Sequence, residues 1–255
     1  MAALSWVASQ SFLKKPVRRA RCSVDVVSQP LLPAAMRAHA RRVTSLLVQS
    51  GWQALLKAGT VGPDDPTAKR FGGFGKGSLL GFPPGVIYNE RYIRIGEQTM
   101  IGPFVSITAG MAPGQEMVTD PVVRIGDRCV IGRGSHLIGH FSIEIGDEVQ
   151  TGPNVYITDQ NHVYDDPDTP IGRQWPAERA VSVGAGSWLG TGVVVLPGAQ
   201  IGRHVVVGAG SVVSGKLPDR CVAVGVPARA VKRYVDGEGW VKVGADGRDH
   251  VSLNS

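Results

Sequence analysis

Apolar positions in this chain recur every six residues. Between Val183 and Val213, the residues Val183, Leu189, Val195, Ile201, Val207 and Val213 share one phase, with Gly following at 184, 190, 202 and 208. Four places after each phase-leading residue stands something compact or branched: Ser187, Val193, Ala199, Val205, Ser211. A period of six fits neither an α-helix nor a simply alternating strand. It fits a coil of short flat strands, one per hexad, in which an aliphatic side chain points to the axis and Gly relaxes the backbone near the corner.

The same period extends upstream. Degenerate hexads start at Phe74 and Leu80, and clear ones at Ile95, Ile101 and Ile107. Residues 111–121 break the pattern with Pro, Gly and acids and read as a loop thrown out of the coil. The phase resumes at Ile125 and Ile131, eighteen residues on from Ile107. Leu137 is imperfect, and the frame slips by two before Ile145, Thr151 and Ile157. Residues 159–182 carry no hexads and are rich in Asp and Pro. A repeat array interrupted for this long usually places a working surface there.

Outside the repeats the pattern changes. Pro33 to Gly59 reads as one or two helices, with Met36, Val43, Leu46, Leu47, Trp52, Leu55 and Leu56 on an apolar face expected to pack on the flank of the β-body. Residues 1–70 form a basic leader and helical extension, residues 71–235 the repeat domain, and residues 236–255 a tail that caps the open end of the coil.

Composition agrees with a β-solenoid. Aromatics are 6%, Gly numbers 34 and Pro 17, while 43% hydrophobic content argues against general disorder. The net charge of +6 is uneven: residues 1–70 hold eleven Lys or Arg against three Asp, so the basic excess belongs to the leader. The repeat body is close to neutral, which excludes a uniformly basic nucleic-acid binder. The leader lacks the apolar core of a secretory signal. Its ordinary reading is a disordered extension, or a start placed early with Met36 as the true start; the alternatives are a transit peptide or a weak membrane-surface contact. Cys22, Cys129 and Cys221 are odd in number and far apart, as suits a cytoplasmic protein.

Together the hexads, the Asn161-His162 loop, the block SWLGTGVVVLPGAQIG and the ending GVPARAVKR resemble the hexapeptide-repeat acyltransferases, in particular the galactoside, maltose and polysaccharide O-acetyltransferases. The resemblance covers residues 71–235. It implies a mainly β fold, a left-handed parallel β-helix of three hexads per turn with a short N-terminal helical segment, assembled as a homotrimer. It also implies an acetyl-CoA co-substrate, a small-molecule or glycan hydroxyl acceptor, and no metal.

Acyl transfer from a thioester to an alcohol needs a base, oxyanion donors and a groove for the donor. His162 is the best base in the chain, because imidazole accepts and returns a proton near neutral pH. Asn161 beside it is expected to position the acceptor or the imidazole, with Asp159 or Asp165 as an orienting carboxylate. The resemblance places an oxyanion donor at the Thr191 backbone and Trp188 at the border of the donor groove. It further implies pantetheine contacts from Ala209 and Ser211, and phosphate contacts from Lys216, Arg229 and Lys232. Two rivals stand beside this reading. One is a γ-carbonic-anhydrase-like zinc enzyme drawing on His136, His140 and His162. The other is a non-catalytic β-helix scaffold.

Overall fold

The computed structural model describes residues 33–244 and 249–250. Leader residues 1–32, with Cys22, and the end of the tail lie outside the described residues. Each hexad forms a two- to four-residue strand, and strands one coil apart pair in parallel, building three sheets of seven, ten and six strands. A turn of the uninterrupted coil takes 18 residues: Val183 pairs with Ile201, Leu189 with Val207 and Val195 with Val213. The phase-leading side chains fill the axis, and Ile107, Leu137, Ile157, Leu189, Val195 and Val207 are all 0% exposed.

Two separate devices make the corners. At most corners the residue three places after the phase-leading one takes a left-handed backbone, whether Gly (Gly186, Gly192, Gly210) or not (Gln98, Arg128, Glu148, His204). Gly directly after the phase-leading residue serves close stacking instead. A Cβ on Gly190 would stand 2.7 Å from the backbone nitrogen of Ala209 in the next coil. The expectation that this Gly relaxes the corner is therefore corrected: it lets adjacent coils approach, and the turn is made two residues later.

The register also explains how the phase survives its interruptions. Ile95 pairs with Ile125 thirty residues on, so the first insert adds twelve, or two whole hexads. Ile125 pairs with Ile145 twenty residues on. The slip of two falls at the corner between strands His136–Gly139 and Ile143–Ile145.

Beyond the last coil, Cys221–Gly225 pairs antiparallel with Ala228–Val235, which pairs with Gly239–Val243, so the tail residues continue the second sheet. The helix α1 runs unbroken over Ala34–Gly59, and none of its residues is buried; Leu47 is 69% exposed and Trp52 51%.

Candidate active site

The two inserts flank the third sheet, and between them lies a cavity of about 310 Å³. Met111 from the first insert, Tyr88 and Tyr156 from the sheet, and Asn161, His162 and Pro176 from the second insert wall it. The second insert begins with a short hairpin: Gln160 pairs with Glu178 and Asn161 with Ala177. That hairpin holds Asn161 at the rim, where its Oδ1 accepts the backbone N–H of His162 (3.1 Å). The His162 residue itself is exposed. At the floor the Thr158 hydroxyl donates to the Ile138 carbonyl (3.1 Å), and the buried Gln160 Oε1 has no partner among the described residues.

Neither carboxylate expected to orient His162 does so among the described residues. Asp159 is 0% exposed. Its oxygens accept the backbone N–H groups of His140, Phe141 and Ser142 at 2.8, 2.8 and 2.6 Å. Burial pushes its carboxyl above the ordinary range, while these N–H donors act in the opposite direction. One neighbouring acid of the insert, Asp166, is structural as well. Asp166 accepts from the Asp168 N–H and the Thr169 hydroxyl, and these bonds lower its pKa.

The sites expected for the donor lie along another edge. Trp188, 51% exposed, stands on the outer face of the second sheet. It pairs with Val206, which pairs with Val222, which pairs with Lys232. Trp188 and Lys232 are thus three rungs apart in one outward column, about 14 Å at the usual strand spacing. Arg229 lies on the same strand as Lys232 and pairs with Val224, whereas Lys216 belongs to the first sheet.

Thr191 and Ala209 occupy equivalent corner positions in successive coils. At the matching positions of the neighbouring corner, an Asp from the coil above accepts the free N–H below: Asp127 caps Glu97, Asp147 caps Asp127 and Asp219 caps Arg203, each at 2.8–2.9 Å. Ala209, standing over Thr191, has no side chain that can do this, and both N–H groups are left without an acceptor among the described residues. Ser211 is differently placed. It is 2% exposed, its N–H donates to the Gly208 carbonyl and its hydroxyl accepts from Gly225.

The structure therefore brings Asn161 and His162 together in one cavity, and sets Trp188, Thr191 and Ala209 on a neighbouring edge. Sequence reasoning missed the roles of His140 and Glu178. Among the described residues no three His, Cys, Asp or Glu side chains converge to hold a metal. His140, which the zinc reading requires, has both ring nitrogens engaged, with Glu178 and Gln115.

Comparison with known proteins agrees with this architecture. Residues 180–215 match the family described as bacterial transferase hexapeptide (six repeats), and residues 122–159 match the hexapeptide repeat of succinyl-transferase. The putative lipopolysaccharide biosynthesis O-acetyl transferase WbbJ of Escherichia coli K12 is 33% identical over 59% of this chain and 76% of its own. A probable acetyltransferase of Mycobacterium tuberculosis is 42% identical over 43% of this chain, which spans only 37% of that relative's length. Among solved structures, an AntD N-acyltransferase from Bacillus cereus, in complex with dTDP-4-amino-4,6-dideoxyglucose and coenzyme A, superposes with a TM-score of 0.58. It covers 68% of this chain and 89% of its own at 23% identity, a likeness of fold. With a relative matched over three quarters of its length and the six-residue coil in place, the chain belongs to the hexapeptide-repeat acyltransferases, built on the left-handed parallel β-helix.

Proposed function

We propose that this protein moves an acyl group, acetyl in the first instance, from acyl-CoA to a hydroxyl of a sugar or glycan acceptor, with His162 as general base. The observation that carries the reading is the Asn161–His162 pair at the rim of a cavity of about 310 Å³ between two inserts, a volume suited to one sugar ring. Its walls suit that ligand, since Tyr88 and Tyr156 offer aromatic surface and Thr158, Gln160 and Asn161 offer polar groups.

In the proposed reaction the imidazole of His162 takes the hydroxyl proton as the acceptor oxygen attacks the thioester carbonyl. The oxyanion so formed accepts from the uncapped Thr191 N–H, a donor held rigidly by the coil. Collapse breaks the carbon–sulfur bond, and the imidazolium returns its proton to the leaving thiolate. The column from Trp188 to Lys232 supplies a donor groove, with Lys232 and Arg229 for its phosphates, Lys216 as a further cation and Ala209 as a backbone donor. Ser211, whose polar atoms are occupied within the chain, contributes packing.

His162 and Thr191 lie on different edges, and a homotrimer that seats the edge of one protomer against the third sheet of the next unites them. A column on the second sheet, apolar except for Gln150, favours such self-association: Leu79, Met100 and Val130, then Gln150 and Trp188, share one outward register, and its four apolar members are each at least 40% exposed. A weak contact with anionic membranes through α1, which exposes Leu46, Leu47 and Trp52 beside Arg41 and Arg42, completes the picture of a cytoplasmic, peripheral enzyme. Among the described residues no helix is long and apolar enough to cross a membrane.

The test is acetyl-CoA turnover with a panel of sugar acceptors, with sedimentation equilibrium for the trimer. Wild-type transfer lost in His162→Ala supports the reading. Equal rates in the two proteins remove His162 from it, and a protein that neither binds nor consumes acetyl-CoA is a scaffold.

A further inference from the structure

The corner at Gly139–Ser142, where the coil gains two residues, carries a buried histidine that the chemistry above does not use. His140 is 7% exposed. Its Nδ1 lies 2.5 Å from Glu178 Oε1, its Nε2 lies 3.2 Å from Gln115 Nε2, and the Trp175 ring packs against it at 6.1 Å between centroids. Gln115 belongs to the first insert, and Glu178 and Trp175 to the second.

The polarity of the chain of contacts is determined. A carboxylate only accepts, so His140 Nδ1 carries a proton and donates it to Glu178. Gln115 Oε1 accepts the backbone N–H of Met111 (2.8 Å), which turns its NH₂ toward His140. His140 Nε2 is then the acceptor. Donation runs one way across the corner: Met111 N–H to Gln115, Gln115 to His140, His140 to Glu178. The corner is pinned from both sides, by Asp159 accepting its three N–H groups and by the Thr119 hydroxyl donating to the Phe141 carbonyl.

Both ends of this relay reach the cavity. Met111 lines one wall. Glu178 pairs with Gln160, and the next rung pairs Ala177 with Asn161, directly before His162.

We propose that His140 is a positioning residue: with Gln115 and Glu178 it forms a polar strut that sets the separation of the two inserts and so the width of the acceptor pocket. The proposal rests on the acyltransferase reading of that pocket. The strut is needed for acceptor binding and not for donor binding, because the donor groove lies on the second sheet.

The experiment uses the full chain with Gln115→Met, His140→Phe and the double variant. Gln115 sits on an outer insert, so its replacement leaves the coil intact even if His140→Phe folds poorly. Each single variant is expected to raise the acceptor KM about tenfold, with the acetyl-CoA KM within about twofold of wild type. The double variant is expected to be no worse than the poorer single, since the residues act as one unit. Glu178→Gln, which keeps an acceptor for His140, is expected to restore most of the acceptor affinity that Glu178→Leu loses. An unchanged acceptor KM, or equal rises in both KM values, overturns the proposal. Nitrogen-15 spectra of histidine-labelled protein give a readout independent of turnover, and so separate failure of the strut from failure of the acyltransferase reading. The strut requires His140 in the Nδ1–H tautomer, and requires the Met111 amide to lose exchange protection in Gln115→Met and in His140→Phe alike. The other tautomer, or a Met111 amide indifferent to His140, sinks the strut whatever the enzyme transfers.

Discussion

The coil from Val183 to Leu217 and the coil from Ile95 to Ile157 obey one geometry and differ in everything else. The first is nearly unbroken, with 18 residues per turn, aliphatic at the axis and bare at the corners. The second throws out two inserts and gains two residues at one corner. Every residue lining the cavity belongs to the irregular half or to an insert, save Tyr88 one coil below. The regular half supplies rigid backbone donors at Thr191 and Ala209. The contrast teaches that regularity fixes where backbone dipoles sit, while departures from it place the side chains that wall the cavity.

Mutations separate the halves. The largest effect is expected from His162→Ala, which lowers kcat about 10²–10⁴-fold while leaving the melting temperature unchanged, because the residue is exposed; turnover and calorimetry on the same preparation check it. Ile201→Ala in the regular half does the opposite. It opens a cavity at the buried axis beneath the first sheet, away from Thr191 and Trp188, costs about 2–5 kcal/mol in urea unfolding, and leaves kcat per folded molecule near wild type. A kcat that fell with Ile201→Ala in fully folded protein would break the division of labour. Asp159→Ala leaves three N–H groups, that of His140 buried and those of Phe141 and Ser142 partly so, without their acceptor and is expected to cost about 1–3 kcal/mol, with a raised acceptor KM; Asp159→Asn, which keeps one acceptor, falls between it and wild type. The smallest effect concerns the thiols. Burial pushes Cys221 up to about 11 and raises Cys129, so in a Cys22→Ser background neither is expected to react with a thiol reagent at pH 8 until denaturant is added. Rapid native titration of either would show that the axis opens more readily than its packing implies.

Much of this fold was legible because a six-residue repeat leaves its mark on every turn: Val183 stacks on Ile201 and Leu189 on Val207, as eighteen residues per turn require. The first insert was visible as composition, but not its depth in the register, since twelve residues are a whole number of hexads and leave the phase unchanged. The pairing of His140 with Glu178 was illegible for another reason. The two are 38 residues apart, joined across a corner whose geometry depends on a buried Asp159. One sequence signal points there, the slip of two before Ile145, which marks a built corner. The burial of Ser211 follows from its place in the hexad, since a small residue there packs beside the axial aliphatic whatever its polarity.

The return of each insert to the coil has a consequence for exchange of parts. The first insert leaves after Ala109 and re-enters at Val122, and the strands on either side keep the side chain of each rung over its neighbour's. A segment replaced between those two points, at any length that brings the ends back to the same corner, meets an unaltered ladder. The coil thus behaves as a chassis with a standard socket. Transplanting a foreign loop between Ala109 and Val122 would change which molecule enters the cavity without asking the solenoid to refold around it.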